Sequence, residues 1–495
     1  MQDNEITQVN DARQSGRVQL NPLTPILGAK QRLKMRPLHR LTVSKPFREL
    51  TARTFPALDR NPAYWRFMQY LLFGTFIDED TGRLIISQKD LAEIEGWTRG
   101  MGNYRAIRFL TAFQTEVMTP ETFSWTGWRG GKKCRQVQRF DPPASFQTAL
   151  DEEWAKTHHD QGRVYFCDGR TFSKKKQRQC RIECRNAAIF LQALAPCEEA
   201  REILDYLNHL PPNLFSGILR NYHAALQVAQ ALENENARRQ QLRILKAINE
   251  QPQPFYAASG NANTDRIFGI GDCLTGLERN VRRALTADWQ EGDIKSSQLA
   301  ICAAAWNVEV VQDFLRDGGS VWKNLFEWFE FDTAEGAKAK PALKDALYST
   351  CYGMRTQYIG GRLGKALEIA GVVRNGSLFL RNPLIQAMLA SRNEATKQIL
   401  RKSGAKTCFG KWLELGKLTP PQILAQIAQA AELKLIYPVV QLAKQTEEFK
   451  ITLWQHDGFS VHFTRREERW KRKLARVVSE QAEKMGIVTG LEWKD

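Results

Sequence analysis

The sequence predicts an α+β protein in which a separate, basic and mainly helical N-terminal region precedes a larger C-terminal part. Three observations support this fold class. Residues 197–250 follow a strongly helical pattern. Apolar and β-prone residues flank His456-Asp457-Gly458, which predicts a β-hairpin. A polar turn after Asp293 leads into an apolar run over 299–306, which predicts a strand followed by a helix.

Composition indicates the class of partner. The chain of 495 residues is long enough for about three domains of ordinary size. It carries 71 Lys and Arg against 54 Asp and Glu, a formal net charge of +17, and such a surface attracts polyanions. Nucleic acid is therefore the expected partner, and a surface charged only for solubility is the alternative.

No segment predicts a secretory or membrane protein. Residues 1–30 are polar and lack the apolar core of a signal peptide, and no apolar run approaches the roughly 20 residues that span a bilayer. The 9 cysteines are scattered and odd in number, as in proteins that keep reduced thiols. We therefore expect a cytoplasmic protein without a membrane partner.

The N-terminal region divides into two parts. Residues 1–45 are polar, basic and interrupted by prolines, which predicts a mobile arm. Residues 46–190 are expected to form a basic module that contacts DNA or a protein partner. Within it, Ser87 and Asp90 match a helix start, and a glycine-rich turn over 96–102 leads to a second helical run. This pair is either a helix-turn-helix that touches DNA or two packing helices.

The stretch 125–185 contains four of the cysteines. Zinc sites usually offer paired ligands two to four residues apart, and only Cys180 and Cys184 approach that spacing, so zinc at Cys167, Cys180 and Cys184 stays open beside incidental thiols. Asp151-Glu152-Glu153 has the letters of a proofreading exonuclease motif, but its surroundings predict a helix start. No exonuclease is therefore predicted.

The helical stretch 197–250 ends in a polar helix with a basic face. Arg238, Arg239, Arg243 and Lys246 form this face. Long helices with a basic face suit a clamp that lies along the phosphate backbone of a duplex.

Lys340, Lys344, Tyr348 and Tyr352 recur every four residues, so on a helix they form a stripe of roughly 120°. Lysines neutralise phosphates and aromatic rings flank sugar and base, so the stripe matches a nucleoside triphosphate. Pro341 is expected in the first helical turn, which places Lys340 at the positive helix N-terminus. The alternative is a solvated lysine face beside a buried aromatic stripe.

Asp293 and Asp457 are the candidate catalytic carboxylates. Taken alone, Asp293 is read as a helix cap and Asp457 as a turn residue. Taken together, they suit two Mg²⁺ ions about 4 Å apart, with a phosphate-binding helix between them in the sequence. Nucleotidyl transfer needs this inventory, so we expect both residues to ligate the metal ions.

These segments resemble motifs of the family A DNA polymerases, the bacterial DNA polymerase I group, and more distantly those of single-subunit phage-type RNA polymerases. Residues 293–299 resemble the first palm motif, Asp-Tyr-Ser-Gln-Ile-Glu-Leu. Residues 340–353 resemble the fingers-helix pattern Arg-x3-Lys-x3-Phe/Tyr-x3-Tyr-Gly, and His456-Asp457 resembles the second palm motif, His-Asp-Glu. The resemblance runs from about residue 200 to the end.

Weaker similarities lie outside these motifs. Thr264-Asp265-Arg266 resembles a Thr-Gly-Arg element that touches primer-template. Asn382 and Gln386 resemble an Asn-x3-Gln pair that reads the duplex minor groove, and residues 490–493 resemble a Gly-x-x-Trp ending. The resemblance thus implies that Thr264, Arg266, Asn382 and Gln386 contact the primer-template.

The resemblance also implies roles around the reacting groups. Asp293 and Asp457 would ligate two Mg²⁺ ions. Lys344 would contact the triphosphate and protonate the leaving pyrophosphate, and Lys340 would hold the γ-phosphate. His456 would lie near the primer terminus.

Nucleotide choice would depend on three further residues. Tyr348 would stack against the incoming nucleotide, and Tyr352 would guard the template position. Gln298 stands where the family has a Glu that excludes ribose; its length is kept, but its charge is lost.

Further departures from the family pattern concern Lys340 and Gly458. Lys340 replaces an Arg and loses bidentate phosphate geometry. Gly458 replaces the Glu that follows the second palm Asp. The stretch from Tyr352 to Asn382 is also shorter than usual.

The implied architecture is a right hand of palm, fingers and thumb behind the N-terminal region. The expected parts are a helical thumb (191–255), a first part of the palm (256–330), fingers (331–440), and a second part of the palm with the C-terminal helix (441–495).

The expected function is template-directed addition of dNTPs to a primer 3′ end, without proofreading, by a monomer that binds DNA primer-template. Replisome proteins are further candidate partners, and plasmid or phage replication is a candidate role. The alternatives are an RNA polymerase or primase on the same scaffold, and a non-catalytic DNA-binding replication protein.

Overall fold

The computed structural model describes most of the chain from residue 41 onward. The described residues are 41–74, 83–96, 103–126, 134–156, 162–172, 185, 186, 188, 195–258, 264 and 266–494. Residues 1–40 of the predicted arm, and the candidate zinc ligands Cys180 and Cys184, lie outside them.

The N-terminal region mixes helices and short strands, whereas the sequence predicted mainly helices. Its helices are α1 (Lys45–Thr54), α2 (Pro62–Phe73), α3 (Gln88–Glu95), α4 (Asn103–Glu116) and α5 (Ala144–Ala155), with a 3-10 helix at Pro56–Arg60. Its strands are β1 (Thr42–Ser44), β2 (Ile85–Ser87), β3 (Phe123–Thr126), β4 (Cys134–Phe140) and β5 (Arg163–Tyr165). Residues 42–45 therefore belong to β1 and α1 and not to a mobile arm.

Local sequence explains two of these helix starts. The Ser87 side chain accepts a hydrogen bond from the Asp90 N–H while the Asp90 carboxylate reaches back, so α3 begins with the predicted capping box. The Ser44 side chain caps α1, and Pro46 occupies the first turn, where its missing N–H costs nothing. Aromatic rings fill the core of the N-terminal region. The ring centres of Phe47 and Phe146, for example, lie 5.5 Å apart.

The C-terminal part begins with helices and continues through the main sheet. Its helices are α6 (Glu198–Asn208), α7 (Asn213–Ser216), α8 (Tyr222–Gln230), α9 (Glu235–Glu250), α10 (Arg279–Leu285), α11 (Ser297–Ala305), α12 (Glu309–Arg316), α13 (Val321–Trp328), α14 (Thr333–Cys351), α15 (Thr356–Ile369), α16 (Pro383–Lys402), α17 (Pro420–Lys444) and α18 (Glu467–Lys484). Its strands are β6 (Tyr256–Ala258), β7 (Ile267–Gly269), β8 (Gln290–Ile294), β9 (Gly404–Lys406), β10 (Trp412–Glu414), β11 (Phe449–Gln455), β12 (Gly458–Phe463) and β13 (Leu491–Lys494).

The main sheet is antiparallel, with strand order β11-β12-β8-β13. The predicted hairpin is confirmed, because β11 and β12 pair from Phe449↔Phe463 to Gln455↔Gly458. Its side chains Ile451, Phe459 and Val461 are fully buried in the C-terminal core. The hairpin turn at His456-Asp457 is thereby fixed at one end of a rigid sheet, next to the end of β8.

Helix α17 is long and apolar enough to cross a membrane by length and composition, but most of it is buried inside the protein. Its residues Ile423, Leu435 and Val439 are fully buried, and it packs against α11 and α18. Its hydrophobicity is that of a core helix.

A group of buried charges joins the N-terminal region to α9. Lys246 of α9 lies 3.5 Å from the carboxylate of Glu153, and both side chains are buried. The Thr42 N–H donates to the carboxylate of Glu250, at 2.8 Å. Glu153 lies near the end of α5, so the predicted helix start at Asp151-Glu152-Glu153 is wrong: α5 begins at Ala144, one residue after Pro143.

Candidate active site

The ends of two neighbouring strands bring Asp293 and Asp457 together. Asp293 of β8 pairs with Gly458 of β12, and the Ile294 N–H donates to the Asp457 carbonyl oxygen at 2.8 Å. We refer to Asp293 and Asp457 as the carboxylate pair. Asp293 is a strand residue, and α11 begins only at Ser297 after Ser296 in a left-handed conformation (φ 50°), so the helix-cap alternative is excluded.

Close strand packing explains the glycine after Asp457. A Cβ atom at Gly458 would lie 2.7 Å from the Gly292 carbonyl oxygen and 3.1 Å from the Asp293 Oδ1. The first contact is shorter than real Cβ contacts and is made to backbone, so a Glu at 458, as in the family motif, would displace β8. The close pairing of β8 and β12 therefore disfavours an outer carboxylate at this position.

The charges of the carboxylate pair repel each other. Burial and the charge of Asp457 raise the pKa of Asp293 to about 6, against a smaller opposing effect of Lys494 and Lys344. The Lys494 ammonium lies 3.5 Å from the Asp293 Oδ2, and the Ser297 hydroxyl donates to the Asp457 Oδ2 at 3.2 Å. Lys494 offsets only part of the repulsion between the two carboxylates, because the pKa of Asp293 stays raised, and such a pair favours a bound cation.

The donor set of this site fits Mg²⁺. No group of three or more His, Cys, Asp or Glu side chains able to hold a metal occurs within the described ranges. Mg²⁺ commonly takes one or two protein carboxylates and completes its shell with phosphates and water, so a pair of carboxylates suffices. Burial raises the pKa of the Cys167 thiol to about 12, so the metal-free side chain is protonated. Zinc at Cys167 stays a prediction, since Cys180 and Cys184 lie outside the described residues.

Helix α14 carries the predicted phosphate stripe but begins earlier than the sequence suggested. Its N-cap is Asp332, whose carboxylate accepts a hydrogen bond from the Glu335 N–H at 2.8 Å. Pro341 is therefore inside the helix and not in its first turn. Lys340 lies far from the helix N-terminus, so the predicted attraction of phosphate by the helix dipole at Lys340 is wrong.

The C-terminal half of α14 faces the carboxylate pair. The positive charge of Lys344 acts on Asp293, and the Lys344 ammonium lies 5.3 Å from the centre of the Tyr348 ring. Burial raises the pKa of the Tyr348 hydroxyl, and the charges of Asp457 and Asp293 add to this effect. Lys344 is exposed and Tyr348 half-buried, so both are available at the edge of the site.

The other two residues of the stripe, Tyr352 and Lys340, contact side chains of neighbouring elements. The Tyr352 ring lies 6.1 Å from the Tyr348 ring, and the Tyr352 hydroxyl accepts a hydrogen bond from Arg266 at 2.8 Å. Lys340 is exposed, with its ammonium 5.6 Å from the Trp322 ring.

Glu432 is a central residue that the sequence analysis missed. Its buried carboxylate forms a bidentate pair with Arg266, at 3.0 Å to both nitrogens, and accepts a hydrogen bond from the Gln298 amide. Burial raises the pKa of Glu432 to about 7, opposed by Arg266. Glu432 is the one acidic residue of α17, an otherwise apolar helix, and a lone buried acid of this kind is a recognisable signal.

Two buried polar atoms near the carboxylate pair have no hydrogen-bond partner within the described part of the chain: the Gln298 Oε1 and the His456 Nδ1. Gln298 is 1% exposed. The His456 ring packs edge-on against Phe268 at 5.1 Å, and burial together with Arg266 lowers the pKa of His456 to about 4. His456 is therefore neutral at pH 7. Buried polar atoms without partners are costly, and they concentrate at functional sites.

The candidate primer-template residues separate into two groups. Thr264 and Arg266 both contact α17, since the Thr264 hydroxyl donates to Gln429 at 2.7 Å. Asn382 and Gln386 lie on α16 instead. Asn382 is fully buried, caps α16 and donates to Asn324 at 2.9 Å. Its amide is used inside the fold, which does not favour reading of the minor groove by Asn382, and the primer-template contacts of Asn382 and Gln386 stay predictions.

The predicted basic face of α9 is also largely used within the chain. Lys246 is buried against Glu153, Arg243 pairs with Asp272 at 3.0 Å, and Arg239 pairs with Glu235 on its own helix. The expectation that these side chains clamp a duplex backbone is therefore not supported at Arg243 and Lys246.

Comparison with known proteins gives a distant similarity among solved structures and none among family models or curated proteins. Among solved structures, the chain is similar to the POL domain of Pol1 from M. smegmatis in complex with DNA primer-template and dNTP. The match covers 95% of this chain and 71% of that chain, at 13% sequence identity and a TM-score of 0.37. Similarity at this level does not define the function of the chain.

Proposed function

We propose that this protein is a DNA polymerase of the family A type, which adds dNTPs to a primer 3′ end on a template by two-metal nucleotidyl transfer. One observation carries the proposal. The carboxylate pair lies at the end of an antiparallel sheet, the charge of Lys344 on α14 acts on Asp293, and the neutral phenol of Tyr348 lies within the field of both carboxylates. Carboxylates, a cation and an aromatic ring then surround one point, as nucleotidyl transfer requires.

The carboxylate pair would hold two Mg²⁺ ions. When bound, these ions would supply charge neutralisation for the attacking and leaving oxygens. The rest of the ion shells would come from the substrate phosphates and water. Ser297, which donates to Asp457, would keep that carboxylate oriented.

Lys344 would contact the triphosphate and donate a proton to the leaving pyrophosphate. Its exposed side chain and the action of its charge on Asp293 support this role. Lys340 would contact the γ-phosphate as a point charge, since an ammonium lacks the bidentate geometry of a guanidinium.

The buried side chain of Gln298 would exclude ribose. Glu432 fixes the Gln298 amide nitrogen, so the side chain cannot rotate away without losing a buried hydrogen bond. Tyr348 would stack on the incoming base, and Tyr352, held by Arg266, would guard the template position. A long side chain at 298 argues for dNTPs over NTPs.

The proposal includes a right-hand arrangement of palm, fingers and thumb acting as a monomer on DNA primer-template. In it, the sheet around β8 and β12 forms the palm, α14 belongs to the fingers, and helices between 191 and 255 form the thumb. Replisome partners and a plasmid or phage replicon remain part of the same proposal.

Primer extension tests this function. A labelled primer on a DNA template is incubated with Mg²⁺ and either dNTPs or NTPs, using the wild type, Asp457→Asn and the control Asp288→Asn. Asp288 is a half-exposed acid paired with Arg220 at 2.7 Å, away from the carboxylate pair. We expect extension with dNTPs by the wild type and the control, and none by Asp457→Asn.

Other outcomes identify the rivals. Extension with NTPs alone would show that the protein is an RNA polymerase or primase and not a DNA polymerase. Absence of extension under all conditions, with DNA binding intact, would indicate a non-catalytic DNA-binding protein.

A further inference from the structure

The N-terminal region contains two consecutive helices, α3 and α4, that pack against each other beside a three-stranded sheet. Helix α3 ends at Gly96, which has a left-handed conformation (φ 85°). Strand β2, which precedes α3, pairs with β4, and β4 pairs with β3, to give the sheet order β2-β4-β3. The sheet therefore holds β3 and β4 beside the start of α3.

One side of α4 is fixed by the core. Ala106, Phe109, Leu110 and Phe113 are buried at helical spacing. The Phe113 ring lies 4.7 Å from Phe67 of α2, and similar edge-on contacts join it to Tyr64 and Phe123. These contacts show that α4 is a packing helix on this side, but they account for only half of its surface.

The opposite side of α4 is exposed and has an unusual composition. Tyr104 is 78% exposed and Ile107 is 37% exposed, and Arg105, Arg108 and Thr111 are exposed beside them. At 100° per residue these five positions form one continuous face. Exposure of the aromatic and aliphatic side chains to water is unfavourable, and exposed apolar surface of this kind marks interaction sites. The two arginines add positive charge to the same face.

The composition and the topology together favour duplex DNA as the occupant. In a helix-turn-helix, the first residues of the second helix contact base edges in the major groove. Arginine is the commonest reader of guanine, and apolar groups contact the thymine methyl. The exposed residues of α4 lie in its first three turns, where such contacts are made, and the chain as a whole carries a net charge of +17.

We propose that the exposed face of α4 formed by Tyr104, Arg105, Ile107, Arg108 and Thr111 is a second nucleic-acid site, which binds duplex DNA. This site is independent of the candidate active site, since it rests on neither the carboxylate pair nor α14. It would hold the protein on a duplex of preferred sequence while the C-terminal part acts elsewhere on the DNA.

Duplex binding by the full chain tests this inference. Blunt-ended fluorescent duplexes selected from a random pool by the wild type are titrated at constant salt, and anisotropy gives the Kd. The test variant is Tyr104→Ala/Arg108→Ala, and the control is Arg60→Ala, which removes the same charge from an exposed position of the same region. We expect at least about tenfold weaker binding by the test variant and a change of less than about twofold for the control.

Two readouts keep the result interpretable. Circular dichroism melts verify that each variant folds, and primer extension on a short primer-template is measured in parallel. Loss of duplex binding by the test variant with extension retained supports the inference, and so does the same loss in a protein that proves inactive. Equal binding by the test and control variants, or no sequence enriched from the pool, overturns it and leaves α4 as a protein-contact or plain surface helix.

Discussion

Two groups of charged residues in this protein lie at buried or partly buried positions, and their charges are arranged in opposite ways. The buried charge cluster, Glu153, Lys246 and Glu250, lies where the N-terminal region meets α9. Its acids accept hydrogen bonds from Ser44 and Thr42, Lys246 pairs with Glu153, and the positive charge of Arg163 also acts on Glu250. The carboxylate pair, by contrast, sets two like charges side by side, with Lys494 in contact with one of them.

The difference separates a structural role from a catalytic one. A buried charge that is paired and hydrogen-bonded needs nothing from outside the chain, and removing one member leaves the others uncompensated. Like charges held together by a rigid sheet gain stability only when a cation arrives. The first group should therefore govern stability and the second should govern activity.

The largest expected effect is on catalysis by the carboxylate pair. Asp293→Asn removes one metal ligand, and a bound metal is worth several kcal/mol of transition-state stabilisation, so the rate of primer extension should fall about 10³-fold or more. Since the substitution also relieves the repulsion from Asp457, the free energy of unfolding should stay constant or rise by less than about 1 kcal/mol at this partly exposed site. Chemical denaturation measures the second quantity. A large loss of stability would contradict the distinction.

The opposite result is expected at the buried charge cluster. Lys246→Met removes a buried cation that acts on both Glu153 and Glu250. The buried Arg163 and the partly exposed Lys156 remain, so the free energy of unfolding should fall by about 3 kcal/mol, the lower end for a broken buried ion pair. Lys156→Met is the matched control, because Lys156 also contacts Glu153, at 3.8 Å, but is 37% exposed. Its effect should be below about 1 kcal/mol in the same denaturation experiment. Equal losses of unfolding free energy in the two variants would show that burial of the lysine does not determine how much its ion pair with Glu153 stabilises the fold.

Lys344 and Lys340 of α14 should differ in their effect on catalysis. Lys344→Ala removes a charge that acts on Asp293, and a hydrogen bond to a charged group contributes about 1.5–3 kcal/mol, so kcat/KM for dNTP should fall about 10- to 100-fold. Lys340 lies over Trp322, one helical turn before Lys344. Lys340→Ala should therefore lower kcat/KM for dNTP by about tenfold or less. Steady-state extension kinetics distinguish them. A larger effect at Lys340 would reverse the orientation we assign to α14.

Glu432 should make the free energy of unfolding depend on pH, by about 3 kcal/mol in total. Its pKa is raised by burial from the ordinary 4.5 to about 7. Between these values the folded chain keeps a proton that the unfolded chain has released, so the free energy of unfolding falls as pH rises through this window and levels off above it. Comparison of the wild type with Glu432→Gln at pH 5 and pH 8 isolates this contribution, and an identical pH dependence in both proteins would rule it out.

Local sequence patterns predicted what adjacent residues determine. The capping box of Ser87 and Asp90, the hairpin around Asp457 and the helical stripe ending at Tyr352 are all set by residues within a few positions of each other. Pro341 misled the prediction because a proline is common in a first helical turn, whereas Asp332 supplies the actual cap.

Long-range partners could not be predicted from such patterns. Lys246 looked like a solvated phosphate contact because its partner, Glu153, is distant in sequence. Asn382 matched a minor-groove motif by spacing, but its position as the cap of α16 is decided by the fold. The role of Glu432 likewise depends on Arg266 and Gln298, which only the tertiary structure brings to it.

The most direct test of the carboxylate pair is metal binding itself. Mn²⁺ replaces Mg²⁺ as a paramagnetic probe, and electron paramagnetic resonance counts the ions bound to the protein in complex with primer-template and a non-reactive dNTP analogue. We predict about two site-bound ions in the wild type and in Asp288→Asn, and a clear loss in Asp293→Asn/Asp457→Asn. The same number of bound ions in all three proteins would contradict the assignment of this site as a two-metal centre.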